Sequence, residues 1–283
     1  MSSFDQPPLP TTEGAPLGSS AAPPAPLSLP AAGIPADLDT PWDILDLFVF
    51  FLFSLGMLYL LSMVLAVIAL TQWGVPQAEI EHYGATNAGF VVLRQVIWFA
   101  CILLYLHAVI RRRTQDPFWP TLGWRGLHLF TLPAAAGVLL CLAGGAGLAM
   151  GADIASLFYN TEKHLPIQDL FTSPHGVLYL MAFGILVAPL AEETVFRGYV
   201  YPVLARKFGM IAGVVLTGIL FGLVHVPQLR GGWGQIATLT CVGMALTAVR
   251  AAARSVFASY LVHLGYNTFL FSGFLMDPSV YKH

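Results

Sequence analysis

The chain has 283 residues, of which 57% are hydrophobic and only 10% charged, and its formal net charge is -2. Soluble domains usually carry about 25% charged residues, so the composition excludes an ordinary water-soluble fold and points to a polytopic membrane protein. No basic run is interleaved with aromatic residues, which also sets nucleic-acid binding aside.

Residues 1 to about 40 are rich in Pro, Ala, Ser and Gly, hold no Lys or Arg, and contain no apolar run long enough for a signal sequence. They read as a disordered tail ahead of a helical transmembrane domain over 41–283. Uncharged intervals then mark candidate spans, since a helix rising about 1.5 Å per residue needs roughly 20 residues to cross a bilayer. Seven result: 47–70, 88–110, 127–150, 176 into the stretch at 188–198, 210–226, 230–250 and 256–275. The expected fold class is all-α, with about seven transmembrane helices and a site inside their bundle.

Arg111, Arg112, Arg113, Arg125, Arg197, Arg206, Lys207, Arg250 and Arg254 fall on one side of these spans, against Lys163, Arg230 and Lys282 on the other. Basic residues favour cytoplasmic loops, so the N-terminus is expected inside and the C-terminus outside. Arg94, within the second span, reads as a snorkelling cation near its outer end, with contact to a substrate as the alternative, and His107 reads as an interfacial residue. The loop 152–174, with Tyr159, His164 and Asp169, reads as a surface connection. Cys101, Cys141 and Cys241 are scattered singly, so neither a zinc knuckle nor a disulfide framework is expected.

Chemistry concentrates late in the chain. The stretch 188–198 reads Ala-Pro-Leu-Ala-Glu-Glu-Thr-Val-Phe-Arg-Gly, placing two carboxylates and a guanidinium in an apolar run where unpaired charge is costly. On a helix Glu193 and Arg197 are i and i+4 and face each other, while Glu192 points about 100° away. This divides the pair into one structural and one working carboxylate. The fifth span carries Phe221 and His225, and the seventh His263 and Asn267, each pair again at i and i+4. If the chain turns near Phe208 and Gly209, Glu192 and His225 stand at the same level of a helical hairpin. Glutamate with two histidines is also a zinc-type donor set, which leaves Glu192, His225 and His263 open as metal ligands, although no HExxH is present.

Glu-Glu-x-x-x-Arg (Glu192, Glu193, Arg197), Phe-x-x-x-His (Phe221, His225) and His-x-x-x-Asn (His263, Asn267), in this order on successive helices, resemble the three motifs of the CPBP family of intramembrane proteases, which includes the CAAX prenyl endopeptidases. The likeness covers about 176–274, and every motif position matches. It implies an endopeptidase of a bacterial cell membrane acting on a membrane-associated or lipidated peptide or protein substrate. Glu192 would then be the general base, His225 would position the water, and His263 and Asn267 would donate to the oxyanion. Glu193 and Arg197 would form the charge pair that holds the motif helix. The resemblance favours a glutamate-activated water without cofactor over Zn2+. A non-proteolytic scaffold or bacteriocin-immunity protein on the same fold, and a proton-coupled transporter, are the competing functions.

Overall fold

Long apolar runs separated by short polar connections leave the backbone one solution in lipid, because a helix satisfies its own N–H and C=O groups. The computed structural model describes residues 35–127, 132–159, 170, 174–229 and 232–276, and among these there are helices and connections but no strand. The principal helices are α1 (Ile44–Thr71), α2 (Ala88–Arg113), α3 (Ala134–Ser156), α4 (Gly176–Phe208), α5 (Met210–Val224), α6 (Trp233–Ala253) and α7 (Val256–Met276). The all-α polytopic fold is thus the one the composition requires. Five of the helices, α1 to α4 and α6, are long and apolar enough to cross a membrane, and α5 is a shorter apolar helix of 15 residues. Helix α7 has the length, at 21 residues, but Ser259, His263 and Asn267 dilute its hydropathy.

Each boundary has a local cause. Asp43 caps α1 by accepting from the backbone N–H groups of Leu45 and Asp46, and Asp46 returns the bond to the N–H of Asp43. Those backbone donors hold the Asp43 carboxyl below its usual range. Asn87 caps α2 through Phe90 N. Gly209, at φ +89°, makes the turn between α4 and α5 that a side chain would strain, at the position the sequence suggests. Helix α3 begins after Pro133, later than the expected 127. The loop 152–174 lies largely outside the described residues, as do Lys163, Arg230 and Lys282.

Lipid supplies no hydrophobic drive between helices, so contact depends on close packing of small residues. Gly137, Cys141, Gly145 and Ala149 line the buried face of α3 at intervals of four. A Cβ on Gly145 would collide with the backbone of α7 at Val262, and one on Gly265 with the backbone of α3 at Leu142. Helix α1, by contrast, buries only a narrow stripe including Leu47, Phe50 and Ser54 and leaves Leu45, Phe48, Leu52 and Leu55 exposed to lipid.

The tail ends earlier than its composition suggests. Residues 36–38 form a turn of 3-10 helix, Leu38 and Thr40 are buried, and Asp37 Oδ2 accepts from Arg250 Nη1 at 2.8 Å. Arg206 donates to the carbonyls of Thr40 and Trp42, and the Trp42 indole stacks on Tyr199 while donating to its carbonyl at 2.9 Å. Residues 36–40, expected in the tail, therefore belong to the packed body. Apolar burial by Leu38 and two arginine clasps outweigh a composition that favours disorder. Residues 1–34 lie outside those described.

Candidate active site

Helix α4 is not regular. It widens into π turns at Phe183–Val187 and Thr194–Val200, on either side of the α-helical segment Ala188–Glu193. Both π turns run up to a proline two residues on, Pro189 and Pro202, and the wider turn relieves the clash a proline ring makes with the preceding turn. In the first, Ala188 N–H bonds to Phe183 O, an i to i-5 register. The next donor in that register would be Pro189, which has no N–H, so Gly184 O is left without a helical partner. Asn267 Nδ2 supplies it at 2.7 Å. One hydrogen of the Asn267 amide is thus spent on repairing the motif helix, and the other is free of that task.

The two adjacent carboxylates diverge as expected, since Glu192 and Glu193 lie on different sides of α4. Glu193 and Arg197 are fully buried. Arg197 Nη1 donates to Glu193 Oε1 at 2.9 Å, and its Nη2 donates to Gly243 O at 2.8 Å. The guanidinium also lies 4.6 Å from the centre of the Phe221 ring, a cation–π contact that gives the phenylalanine of the second motif a direct purpose. Arg197 therefore ties α4 to α5 and α6 at once.

Glu193 has a second partner that spacing along one helix does not reveal. Its Oε1 accepts from His263 Nδ1 at 2.9 Å. A carboxylate oxygen only accepts, so the proton sits on Nδ1 and the ring is oriented with Nε2 toward Glu192. Nε2 stands 3.8 Å from Glu192 Oε2, a separation too long for a direct hydrogen bond and of the order that a bridging group spans. His225, at the C-terminal end of α5, likewise points Nδ1 at its own Phe221 O at 2.7 Å, which leaves Nε2 as the free nitrogen.

Glu192, with 20% of its side chain exposed, and His225 line a cavity of about 550 Å³ between α1, α2, α4 and α5. Its walls are mostly apolar, with Phe50, Phe51, Trp98, Phe99 and Phe196 among them. Arg94 also lines this cavity. Of the four expected catalytic residues, two face the cavity, His263 stands behind Glu192, and Asn267 is held at the Gly184 carbonyl. The sequence carried no sign of the Glu193–His263 bond, but Pro189 within a span was a signal for the repair made by Asn267.

Glutamate and imidazole are suitable zinc donors, but no group of three or more His, Cys, Asp or Glu side chains placed to hold a metal occurs among the described residues. Glu192, His225 and His263 do not form such a group, and His263 Nδ1 is engaged by Glu193. Cys101, Cys141 and Cys241 are free thiols, as their scatter suggests.

Residues 174–269 match the family described as Type II CAAX prenyl endopeptidase Rce1-like, a stretch that contains all seven motif positions. The resemblance drawn from the motifs is thereby supported, and a CAAX-type intramembrane endopeptidase in general is the activity that the match indicates. No curated protein and no solved structure matches the chain.

Proposed function

We propose that the protein is an intramembrane endopeptidase that hydrolyses a peptide bond of a membrane-associated or lipidated substrate in a bacterial cell membrane, with Glu192 activating the attacking water. The observation that carries this reading is the placing of Glu192 and His225 on the wall of one apolar cavity, with the Glu193–His263 bond directly behind Glu192. In the reaction, Glu192 takes a proton from water and the hydroxide adds to the carbonyl carbon of the scissile bond. The resulting oxyanion needs hydrogen-bond donors, and collapse of the intermediate breaks the C–N bond as Glu192 returns its proton to the leaving nitrogen.

The neighbouring residues take roles that follow from their free atoms. His225 offers an unprotonated Nε2 that accepts from the water and orients it. His263 has committed Nδ1–H to Glu193, so it donates from Nε2 only as the imidazolium. Asn267 adds the amide hydrogen not used by Gly184 O. Glu193 is then more than a structural partner of Arg197, because it fixes the donor geometry of His263.

Cleavage of a membrane-anchored peptide by the purified protein, beside Glu192→Gln, tests the reading. Turnover by the wild type and none by the variant is expected, with peptide binding intact in both. A Glu192→Gln protein that cleaves at near the wild-type rate would remove Glu192 from the chemistry, and a wild type that cleaves no such peptide would return the site to the scaffold or transporter alternatives.

A further inference from the structure

The cavity that holds Glu192 and His225 is built differently at its two ends. Helices α1 and α2 run antiparallel, as the pairing of Ser54 O with Trp98, of Phe50 with Tyr105 and of Asp46 with Arg113 shows. Position along each helix therefore gives the level of its wall residues. Ser62 stands toward the C-terminal end of α1, Arg94 and Gln95 in the second turn of α2, and His225 and Gln228 at and beyond the end of α5. These polar side chains gather at one end of the cavity. Phe50, Ile102 and Phe196 line the other, and they belong to a buried cluster that continues away from the cavity through Leu106, Ile110, Tyr199 and Val203.

The apolar end is also strapped. Trp42 stacks on Tyr199 and donates to its carbonyl, and Arg113 donates to Pro41 O at 3.0 Å. A packed layer of this kind admits neither water nor an extended chain without local opening. Beyond it lie the exposed cations Arg111, Arg112, Arg125, Lys207 and Arg254. Distance along the helices gives the same polarity. Phe208 lies 16 residues beyond Glu192, and His225 lies 15 beyond Met210. Both site residues are thus about 22 to 24 Å from the turn at Gly209, in a hydrocarbon layer about 30 Å thick. The site stands far from the arginine-rich face and close to the opposite one. Since clustered Arg and Lys mark the cytoplasmic side, the sealed end faces the cytoplasm and the polar end faces out.

We propose that the peptidase site is served from the non-cytoplasmic face, so that the protein cuts exported peptides or proteins held at the outer leaflet by a lipid or a membrane helix. The inference rests on the peptidase reading, and it names the substrate class of that site. The water consumed in hydrolysis and the substrate chain both arrive past Ser62, Gln95 and Gln228, whose side chains replace part of the hydration lost on entry. The membrane anchor stays in lipid while the scissile bond descends only a short way to Glu192. A substrate lipidated in the cytoplasm would meet the sealed end.

Two measurements on the full chain, with Cys101, Cys141 and Cys241 replaced by alanine and the protein expressed in a bacterial host, test access and chemistry separately. In intact cells a membrane-impermeant maleimide should label Gln77→Cys, in the connection between α1 and α2, and Gln228→Cys, both exposed positions. It should label Arg112→Cys only after permeabilisation. Labelling in the opposite order overturns the proposal. The cavity itself is read by Glu192→Cys. A small anionic thiosulfonate should modify it at least about 10-fold faster in intact cells than in inverted vesicles, where the packed layer must open first. Equal rates, or faster modification in inverted vesicles, overturn the proposal. The chemistry is read with a lipopeptide whose charged segment does not cross membranes, with Glu192→Gln as the blank. Wild-type cells should cleave it, and inverted vesicles should do so only once detergent is added. Cleavage by inverted vesicles without detergent, and none by intact cells, refutes outer access and leaves the peptidase reading standing. No cleavage in either orientation or in detergent, with labelling as expected, refutes the peptidase reading and leaves the route into the cavity.

Discussion

The two sides of the cavity handle charge in opposite ways. On the side made by α4, α5 and α7, Glu193, Arg197 and His263 are buried together and bonded to one another, and Gly243 O accepts from Arg197 Nη2, while Glu193 Oε2 and Arg197 Nε have no hydrogen-bond partner. On the side made by α1 and α2, a single guanidinium stands unpaired among aromatic residues. A closed network needs no ligand to be stable, so its function is to hold geometry. A guanidinium without a side-chain partner is met by water, by lipid headgroups or by a ligand. The contrast separates a wall held together by its own bonds from a wall of apolar rings with one unpartnered cation, and substitutions on each side should therefore fail in different measurements.

The largest effect is expected at Glu192, where the closed network meets the cavity. Glu192→Gln is isosteric, and its one ion-pair contact is the long one to His263 Nε2 at 3.8 Å, but an amide does not accept the proton of water. Turnover should fall toward the upper end of the 100- to 10,000-fold range typical of a general base, about 10,000-fold, with peptide affinity retained. Initial rates and equilibrium binding on one preparation check both halves. Wild-type turnover is expected to survive exhaustive chelation; reversible loss on chelation and recovery with zinc would instead establish a metal mechanism.

Within the closed network, Glu193→Gln and Arg197→Leu each leave the other charge buried and unpaired. A loss of about 3 to 5 kcal/mol in stability is expected, read as reduced melting in detergent and a lower yield of folded protein. Asp37→Asn should behave in the same direction, because Arg250 is as fully enclosed as Arg197 and Asp37 is its ion-pair partner. Glu193→Gln should cost turnover in addition, since an amide in place of the carboxylate weakens the hold on His263 Nδ1. Unchanged melting with abolished turnover would place Glu193 among the groups that act on the reaction and remove the structural half of its role.

Much of this arrangement was legible in the sequence because it depends on spacing along single helices. The i, i+4 relation predicted the Glu193–Arg197 pair and the divergence of Glu192, and Gly209 marked the turn that brings α5 alongside α4. Contacts between helices were less legible. The Glu193–His263 bond joins residues 70 positions apart, and no local pattern encodes it. The π turns of α4 were hidden for a different reason, since hydropathy is blind to a one-residue change of register, although Pro189 signalled that one carbonyl would need another donor. Arg94 had two readings because a basic residue near the end of a span has two physical solutions, snorkelling and cavity lining, and where neighbouring helices pack bears on the choice. The end of the tail was missed because Leu38 and Asp37 are single anchors in a stretch whose average composition is that of a disordered chain.

Asn267 probes the seam between network and cavity. Asn267→Ala removes a proposed oxyanion donor, which typically costs about 2.7 to 4 kcal/mol in the reaction barrier, or roughly 100- to 1,000-fold in rate. It also leaves Gly184 O without its donor, at about 1 to 3 kcal/mol of stability. Both losses should appear together, the first in kcat and the second in melting. A melting change with kcat intact would confine Asn267 to the repair of α4.

The smallest effect is expected from removing residues 1–34. The comparison between closed and open charge gives the reason: these residues contain Asp5 and Glu13 but no Lys or Arg, and none of the motif residues lies among them. Segments of such composition bury too little apolar area to offset the entropy of ordering them. The anchors that matter begin later, with the Asp37–Arg250 pair and the Arg206 clasp of Thr40 and Trp42. A protein starting at Pro35 should therefore keep both its melting temperature and its turnover, whereas one starting at Pro41 should lose stability through the exposed Arg250. Comparing the two truncations in the same detergent places the functional start of the body between them. If the shorter deletion already lowers turnover at unchanged melting, the tail takes part in handling substrate, and the open side of the cavity extends further along the chain than its walls of α1 and α2.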